Sequence, residues 1–174
     1  MLINRLPPHI TRIQTMKQVL SVVSGCLVTL AAVAADSSAS RVFQMRLVAD
    51  KPSSETEQMT LVEKRHAREH TEVLSIQKTA LLDQTDLKSA TVSTNTPTGA
   101  PVIEIAFTDK GAKRFAKVTR QNIGKRLAII IDGQVYWAPT LQTEITAGRG
   151  QISGSFSEQE ARDLAAKISK TLQK

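Results

Sequence analysis

Apolar and polar residues alternate along several short stretches of this chain, and that pattern predicts strands. Between residues 42 and 48, three large apolar residues alternate with Gln44 and Arg46, so one face of this strand can pack on a core. The charged residues 64–70 lack a clear period and are expected to connect strands. Further strands are predicted at 59–63, 73–82, 87–94, 102–107, 126–131 and 134–138.

The pair Asp132 and Gly133 stands between two apolar runs. An Asp-Gly pair in this position predicts a two-residue hairpin turn, because both central residues of a type I′ turn need positive φ. Pro139 then ends or bends the second strand, and residues 140–146 suit one more strand. Gly148 and Gly150 indicate a turn that leads into a strand over 151–154.

Two helices follow from capping signals and from apolar residues at helical spacing. Thr108 is a suitable N-cap for a helix reaching about Asn122, with Gly124 as its C-terminal cap. Ser157 and Glu160 form a capping box ahead of the second helix. The apolar face of the first helix is predicted to contain Ala112, Phe115, Val118, Thr119 and Ile123, and that of the second Ala161, Leu164, Ala165, Ile168 and Leu172.

Strand hairpins with two interspersed helices predict an α+β fold, a largely antiparallel sheet with both helices packed on one face. The outward face of the first helix is cationic. The second helix is expected to cover the apolar face of the sheet.

Residues 1–35 have three basic residues, no acidic residue and a long apolar run, which is typical of a secretory signal peptide. Small residues at its end predict cleavage near Ala34 or Ala35, and Met16 is an alternative start to Met1. Two alternatives remain open: lipidation at Cys26, or an uncleaved membrane anchor. Either would give a membrane association. The expected mature protein is one domain, residues 36–174, in the periplasm or cell envelope.

The net charge of +7 is partly due to the leader. Removing its three cations from 23 leaves 20 basic residues against 16 acidic ones, a net charge of +4. Because the two signs are mixed along the chain, they indicate a solvated surface and no nucleic-acid partner. No cysteine follows Cys26, so disulfide and thiolate chemistry are excluded from the mature part.

Two patterns were weighed as enzyme sites. His66, Glu69 and His70 match H-x-x-E-H, a zinc-protease pattern that requires a helix and a third ligand. This stretch has weak helical periodicity, and the one other histidine is His9 in the leader. No Gly-x-Ser-x-Gly motif is present either. The sequence therefore predicts a protein without enzymatic activity, metal or cofactor.

An ordered set of residues in the second half of the chain resembles the head subdomain of the first periplasmic domain of SecD and SecDF, components of the bacterial Sec protein-export machinery. No single dipeptide is diagnostic, but the order and spacing are. Most of these residues are expected to be structural, and special backbone angles are expected at Gly133, Gly148, Gly150 and Gly154. The set consists of Gly124, Lys125, Asp132, Gly133, Ala138, Pro139, Ile145, Gly148, Gly150, Ile152, Gly154, Phe156, Glu160 and Ala161.

The resemblance implies a binding module whose partners are unfolded or exported polypeptides, Sec translocon components, or both. Tyr136 and Trp137, the single Tyr and Trp of the chain, are the candidate polypeptide-binding residues. They are neighbours on a predicted strand, so one ring should face outward if the other is buried. The chain has no apolar run of 18 residues after Asp36, which suggests a head without the membrane part of SecD. The alternative is a structural or regulatory envelope module that binds a folded partner or a small ligand.

Overall fold

The computed structural model describes residues 41–65, 68–154 and 156–173, without the side chains at positions 64, 65, 68 and 69. No helix in these ranges is long and apolar enough to cross a membrane. The strands are β1 (Phe43–Ala49), β2 (Thr56–Arg65), β3 (Arg68–Gln77), β4 (Leu82–Asp83), β5 (Leu87–Thr94), β6 (Pro101–Phe107), β7 (Leu127–Ile131), β8 (Gln134–Trp137) and β9 (Arg149–Ser153). The helices are α1 (Asp109–Gln121) and α2 (Glu158–Leu172).

Five strands close into a ring. Their order is β3-β2-β8-β7-β1, with β4 beside β1, and a further antiparallel pairing of β1 with β3 completes the ring. The hairpin of β2 and β3 is its longest part, with ten paired positions from Thr56 opposite Gln77 to Arg65 opposite Arg68. The pairing of β2 with β8 at Leu61 and Val135 is parallel.

The remaining strands form a three-stranded antiparallel sheet in the order β5-β6-β9. Helix α2 packs on β5 and β6, while α1 lies against β6, β4 and the 3-10 turn at Gln84–Asp86. Both helices contribute to one core between the ring and this sheet. This first core includes Phe43, Leu127, Ile131, Ile103, Ile152, Phe115 and Ile168.

A second, smaller core fills the ring. It consists of Leu61, Leu74, Ile76, Ala128, Ile130, Val135 and Ala138. Strand β7 divides the two cores, since Leu127, Ile129 and Ile131 belong to the first whereas Ala128 and Ile130 belong to the second. All five of its residues are buried, which agrees with the apolar run that predicted it.

Two arginines form polar contacts on the side of the ring where the second core lies. Arg46 on β1 is 5% exposed, donates from Nε to Gln44 Oε1 (2.8 Å) and pairs with Glu57 of β2. Arg126, just before β7, makes two bonds to Glu72 of β3 (2.7 and 3.0 Å) and donates to the carbonyl of Ala138 (3.0 Å). A buried cation such as Arg46 requires partners of this kind.

The α+β class, the Asp132 turn, the α1 cap at Thr108 and the α2 capping box are confirmed. Other details differ from prediction. The strands are divided between two sheets, and residues 68–70 belong to β3 instead of a connection. Residues 140–146 form no strand beyond one isolated bridge at Thr140.

The predicted strand over 73–82 ends at Gln77 and resumes only as β4. Ile123 was expected on the buried face of α1. It is 54% exposed because the helix ends at Gln121, before the turn that contains Gly124.

Candidate functional site

The two candidate aromatic residues lie at a bulge in β8. Ile129 pairs with Trp137 but Ile130 pairs with Val135, so Tyr136 is the extra residue. A bulge interrupts the alternation of faces. Both rings are half-buried against the first core. The prediction that one ring faces outward if the other is buried therefore stays untested, because neither ring is fully buried.

Beyond β8, residues 138–148 cross from the ring to the three-stranded sheet and are called the crossover segment. Its path is fixed by backbone bonds to the turn after α1. Gly124 N–H donates to the Leu141 carbonyl (2.8 Å), and Leu141 N–H donates to the Lys125 carbonyl (2.9 Å). Further along, Ile145 N–H donates to Thr119 Oγ1 (3.0 Å). This segment has little regular structure but many anchors.

An apolar cavity of about 280 Å³ lies beneath the crossover segment. Trp137 and Leu141 line one side, and Gly150 and Ile152 of β9 line another. None of its described lining residues is charged. The others are Met45, Ile105, Phe115, Leu127, Ile129, Pro139, Thr140, Gln142, Thr143, Ile145 and Gln151.

The cavity lies beside an unpaired strand edge. Within the described residues, β9 pairs only with β6. Phe107 N–H donates to the Gly148 carbonyl (3.0 Å), which fixes the alternation of ladder bonds. With Glu104 opposite Gln151 in the register, the backbone N–H and carbonyl of Gln151 point away from β6. An edge of this kind is able to accept another strand.

Tyr136 lies on a different side from the cavity. Its ring is 5.9 Å from the Phe156 ring, its hydroxyl donates to Gln134 Oε1 (3.2 Å), and it borders a shallow groove with Leu164 and Lys167 of α2. Partial burial raises the pKa of the Tyr136 hydroxyl. The structure thus places Trp137, but not Tyr136, at the cavity.

Three glycines of the family set have a positive φ, and one of them, Gly124 (φ 82°), lies in the turn after α1. Gly133 (φ 78°) completes the turn with Asp132 (φ 52°), and Gly148 (φ 64°) precedes β9. For Gly150 and Gly154 the expectation of a special backbone angle was wrong, because neither has a positive φ. Gly154 instead leaves room for the Phe156 ring, which a Cβ would approach to 2.5 Å.

The other members of the set are mainly structural. Ile152 and Ala161 are fully buried, and Ala138 packs in the second core. The Glu160 carboxylate accepts from Ser157 N–H (2.7 Å) and completes the α2 capping box. Lys125 is exposed, with Nζ 3.2 Å from Asn122 Oδ1.

The H-x-x-E-H pattern lies on β3 and not on a helix. Glu69 and His70 belong to that strand, while His66 is outside the described residues. The described part of the pattern therefore lacks the helix that this zinc site requires. In the described part of the chain no group of three His, Cys, Asp or Glu residues is placed to bind a metal.

Comparison with known proteins identifies the fold. Residues 57–171 match the family model described as SecDF, P1 head subdomain, which is more than half of the chain. The chain belongs to this family. The resemblance inferred from the ordered set of residues is confirmed, and the relatives are subunits of the protein-export machinery.

The relatives are much longer than the matched segment. Protein translocase subunit SecDF of Thermus thermophilus is 52% identical over 67 residues, which cover 38% of this chain and 9% of the relative. Protein translocase subunit SecD of Sebaldella termitidis is 45% identical over 85 residues, covering 49% and 21%. This chain therefore corresponds to a small part of each relative.

Two solved structures share the fold at 30% identity. SecDF in its "Super-membrane-facing form" matches with a TM-score of 0.58 over 74% of this chain and 18% of that chain. A second, described as a "membrane component SecDF that enhances protein export", matches with a TM-score of 0.53 over 76% of this chain and 62% of that chain.

Sequence reasoning missed the cavity and most of its lining. Leu141 and Ile129 lie in predicted strands, and Phe115 lies on the predicted apolar face of the first helix. The one available signal was Pro139, which marked the end of β8 but not the path of the crossover segment. A cavity between two sheets depends on how the sheets pack, and local patterns do not contain this information.

Proposed function

We propose that this protein contacts unfolded, exported polypeptides outside the cytoplasm, together with components of the Sec translocation machinery. The observation that carries the proposal is the uncharged cavity between Trp137 and the unpaired edge of β9. The names of its relatives, all translocase subunits, support a role in export. No catalytic step is part of this function.

An unfolded polypeptide offers two kinds of group, and the site has a counterpart for each. Its backbone N–H and carbonyl groups can pair with those of Gln151 at the β9 edge, as in strand addition. Alternate apolar side chains can then enter the cavity against Trp137 and Leu141. The volume lies near the low end of the range for small-molecule pockets, about 300–1000 Å³, and suits one or two apolar side chains.

The test is photo-crosslinking in the cell envelope with a photoreactive amino acid at position 137. Crosslinks to several exported precursors or to Sec components are expected. The control places the same amino acid at Gln58, which is exposed on β2 and does not line the cavity. Equal crosslinking of precursors from both positions contradicts a specific site at Trp137.

A second test uses the purified full chain. Trp137 is the single tryptophan, so its fluorescence reports directly on the cavity. Addition of an unfolded polypeptide that lacks tryptophan is expected to shift the emission of Trp137. The same polypeptide in its folded state is expected to leave this emission unchanged. Capture of one folded partner in the crosslinking test, with no fluorescence response here, favours the alternative of a structural or regulatory envelope module.

The extracytoplasmic location rests on residues 1–35, which lie outside the described residues. We propose that they are removed near Ala34 or Ala35, leaving one domain over residues 36–174. Intact-mass measurement of the protein from cells distinguishes this product from a form lipidated at Cys26. A mass that includes all of residues 1–35 contradicts cleavage.

A further inference from the structure

The outward face of α1 is formed by cationic residues. Five cationic residues, spaced by three, one, three and three positions, lie on one side of a helix about 20 Å long. The opposite side packs into the first core through Phe115, Val118 and Thr119. The cationic residues are Lys110, Lys113, Arg114, Lys117 and Arg120.

Three of these charges have no partner within the described residues. Arg114 pairs with the buried Asp86 (3.2 Å), and Arg120 is 4.0 Å from Glu144. In contrast, Lys110, Lys113 and Lys117 are exposed, and no carboxylate in the described part of the chain pairs with them. Asp109, in the first turn, is the one acidic residue of the helix. The three lysines thus form an unneutralised positive surface.

The chemistry of this surface favours a diffuse anion. A lysine ammonium is a compact point charge without the fixed fork of arginine, so it does not select one carboxylate geometry. Stacking on nucleic-acid bases requires exposed aromatic rings, and the one aromatic residue of α1, Phe115, is buried. An anionic membrane surface is such a diffuse anion, and each lysine close to it adds to the attraction.

We infer that the lysine face of α1, consisting of Lys110, Lys113 and Lys117, docks on an anionic phospholipid membrane surface. This goes beyond the proposed polypeptide contact, which uses the cavity. The two are linked by α1, because Phe115 on its inward side lines the cavity. Docking through the lysine face would hold the cavity near the membrane surface.

The test measures binding of the full chain to phosphatidylcholine vesicles with and without phosphatidylglycerol. A variant with Lys110→Gln, Lys113→Gln and Lys117→Gln is expected to lose more than tenfold in affinity for the anionic vesicles, from about fivefold per lysine. The matched control is Lys51→Gln, Lys88→Gln and Lys170→Gln, which removes the same charge from exposed positions elsewhere. Both variants keep residues 1–40, so any contribution of that segment is the same in both.

The control variant should retain affinity within about threefold of the parent. Equal losses in the two triple variants overturn the proposal, because net charge alone then explains binding. No preference for anionic vesicles overturns it as well. If the lysine variant loses binding to poly-glutamate but keeps its vesicle affinity, the face belongs to an acidic protein partner. Unchanged thermal unfolding of each variant confirms that the fold is intact.

Discussion

The first core and the ring differ in how their sequences specify them. The first core joins two helices to strands of both sheets, and its helices have strong local patterns, namely an N-cap at Thr108, a capping box at Ser157 and helical spacing. The ring depends on a long hairpin whose residues alternate weakly, and it is closed by distant pairings such as Val48 with Ile76. Local pattern therefore specifies one region, whereas long-range pairing specifies the other.

Truncating the neighbours Ile131 and Ile130 gives the most direct comparison of how much each region contributes to stability. Ile131 is buried in the first core and Ile130 in the second, at 0% and 1% exposure. Ile131→Ala should lower the free energy of unfolding by about 4 kcal/mol and Ile130→Ala by about 3 kcal/mol. The smaller loss is expected in the ring, because its hairpin can move inward and partly fill the space that the truncated side chain leaves.

Chemical denaturation of the full chain measures both values. Ile131→Val and Ile130→Val serve as controls, each with an expected loss of about 1 kcal/mol. A larger loss for Ile130→Ala than for Ile131→Ala contradicts the idea that the ring adapts more easily.

Gly111 tests the tightest contact of the first region. A Cβ at this position would lie 2.1 Å from the carbonyl oxygen of Asp86, a backbone atom that cannot rotate away. Gly111→Ala should therefore destabilise by about 3 kcal/mol, although alanine is ordinarily better than glycine in a helix by about 1 kcal/mol.

The matched control is Lys113→Ala on the exposed side of the same helix, which should change stability by less than about 0.5 kcal/mol. Thermal unfolding distinguishes the two. A stabilised Gly111→Ala variant means that α1 is able to move away from the 3-10 turn.

The pair of Arg126 and Glu72 tests the closure of the ring. The hydrogen bond from Arg126 lowers the pKa of the Glu72 carboxyl below its ordinary value of 4.5. A carboxyl group with a lowered pKa stabilises the folded state at pH values above its ordinary pKa. This stability is lost as the pH falls through the pKa of the folded state. Because both side chains are about a third exposed, the contribution should stay below about 1 kcal/mol.

Unfolding free energies at neutral pH and below pH 4 measure this effect. Glu72→Gln should be less stable than the parent at neutral pH and should lose less stability on acidification. Glu55→Gln, in an exposed turn, is the control. An unchanged acid dependence in Glu72→Gln shows that this ion pair does not stabilise the ring.

The smallest effect is expected on the outer face of the hairpin. Val73 is 63% exposed, whereas its neighbour Leu74 is 3% exposed in the second core. Val73→Thr should change stability by less than about 0.5 kcal/mol. Circular dichroism during thermal unfolding is sufficient to measure it, and a loss above 1 kcal/mol indicates a contact on that face.

Much of the fold follows from the sequence where the signal is short-range. The caps at Thr108 and Ser157 and the turn at Asp132 depend on residues at most three positions away. The sequence therefore predicts them correctly. Gln44 and Arg46 were read as the polar face of β1, yet both are buried. The ion-pair partner of Arg46 is Glu57, eleven residues along the chain. The alternation of polar and apolar residues within one strand does not predict such a contact.

The candidate site was predictable in part. Trp137 was selected because it is the single tryptophan in a recognisable family segment, and it does line the cavity. Tyr136 was selected for the same reason but packs near α2, since one extra residue in β8 redirects the ring. The β9 edge and the crossover segment were not predicted, because both depend on how two sheets are joined.

Strand β7 has a consequence for cooperativity. Because its two faces belong to different cores, neither core can open without exposing one side of the same strand. The ring and the two helices of the first core should therefore unfold as one unit, with equal calorimetric and van't Hoff enthalpies. The amide protons of Ala128 to Ile131 should be the slowest in the molecule to exchange with deuterium, since they become accessible only on global unfolding.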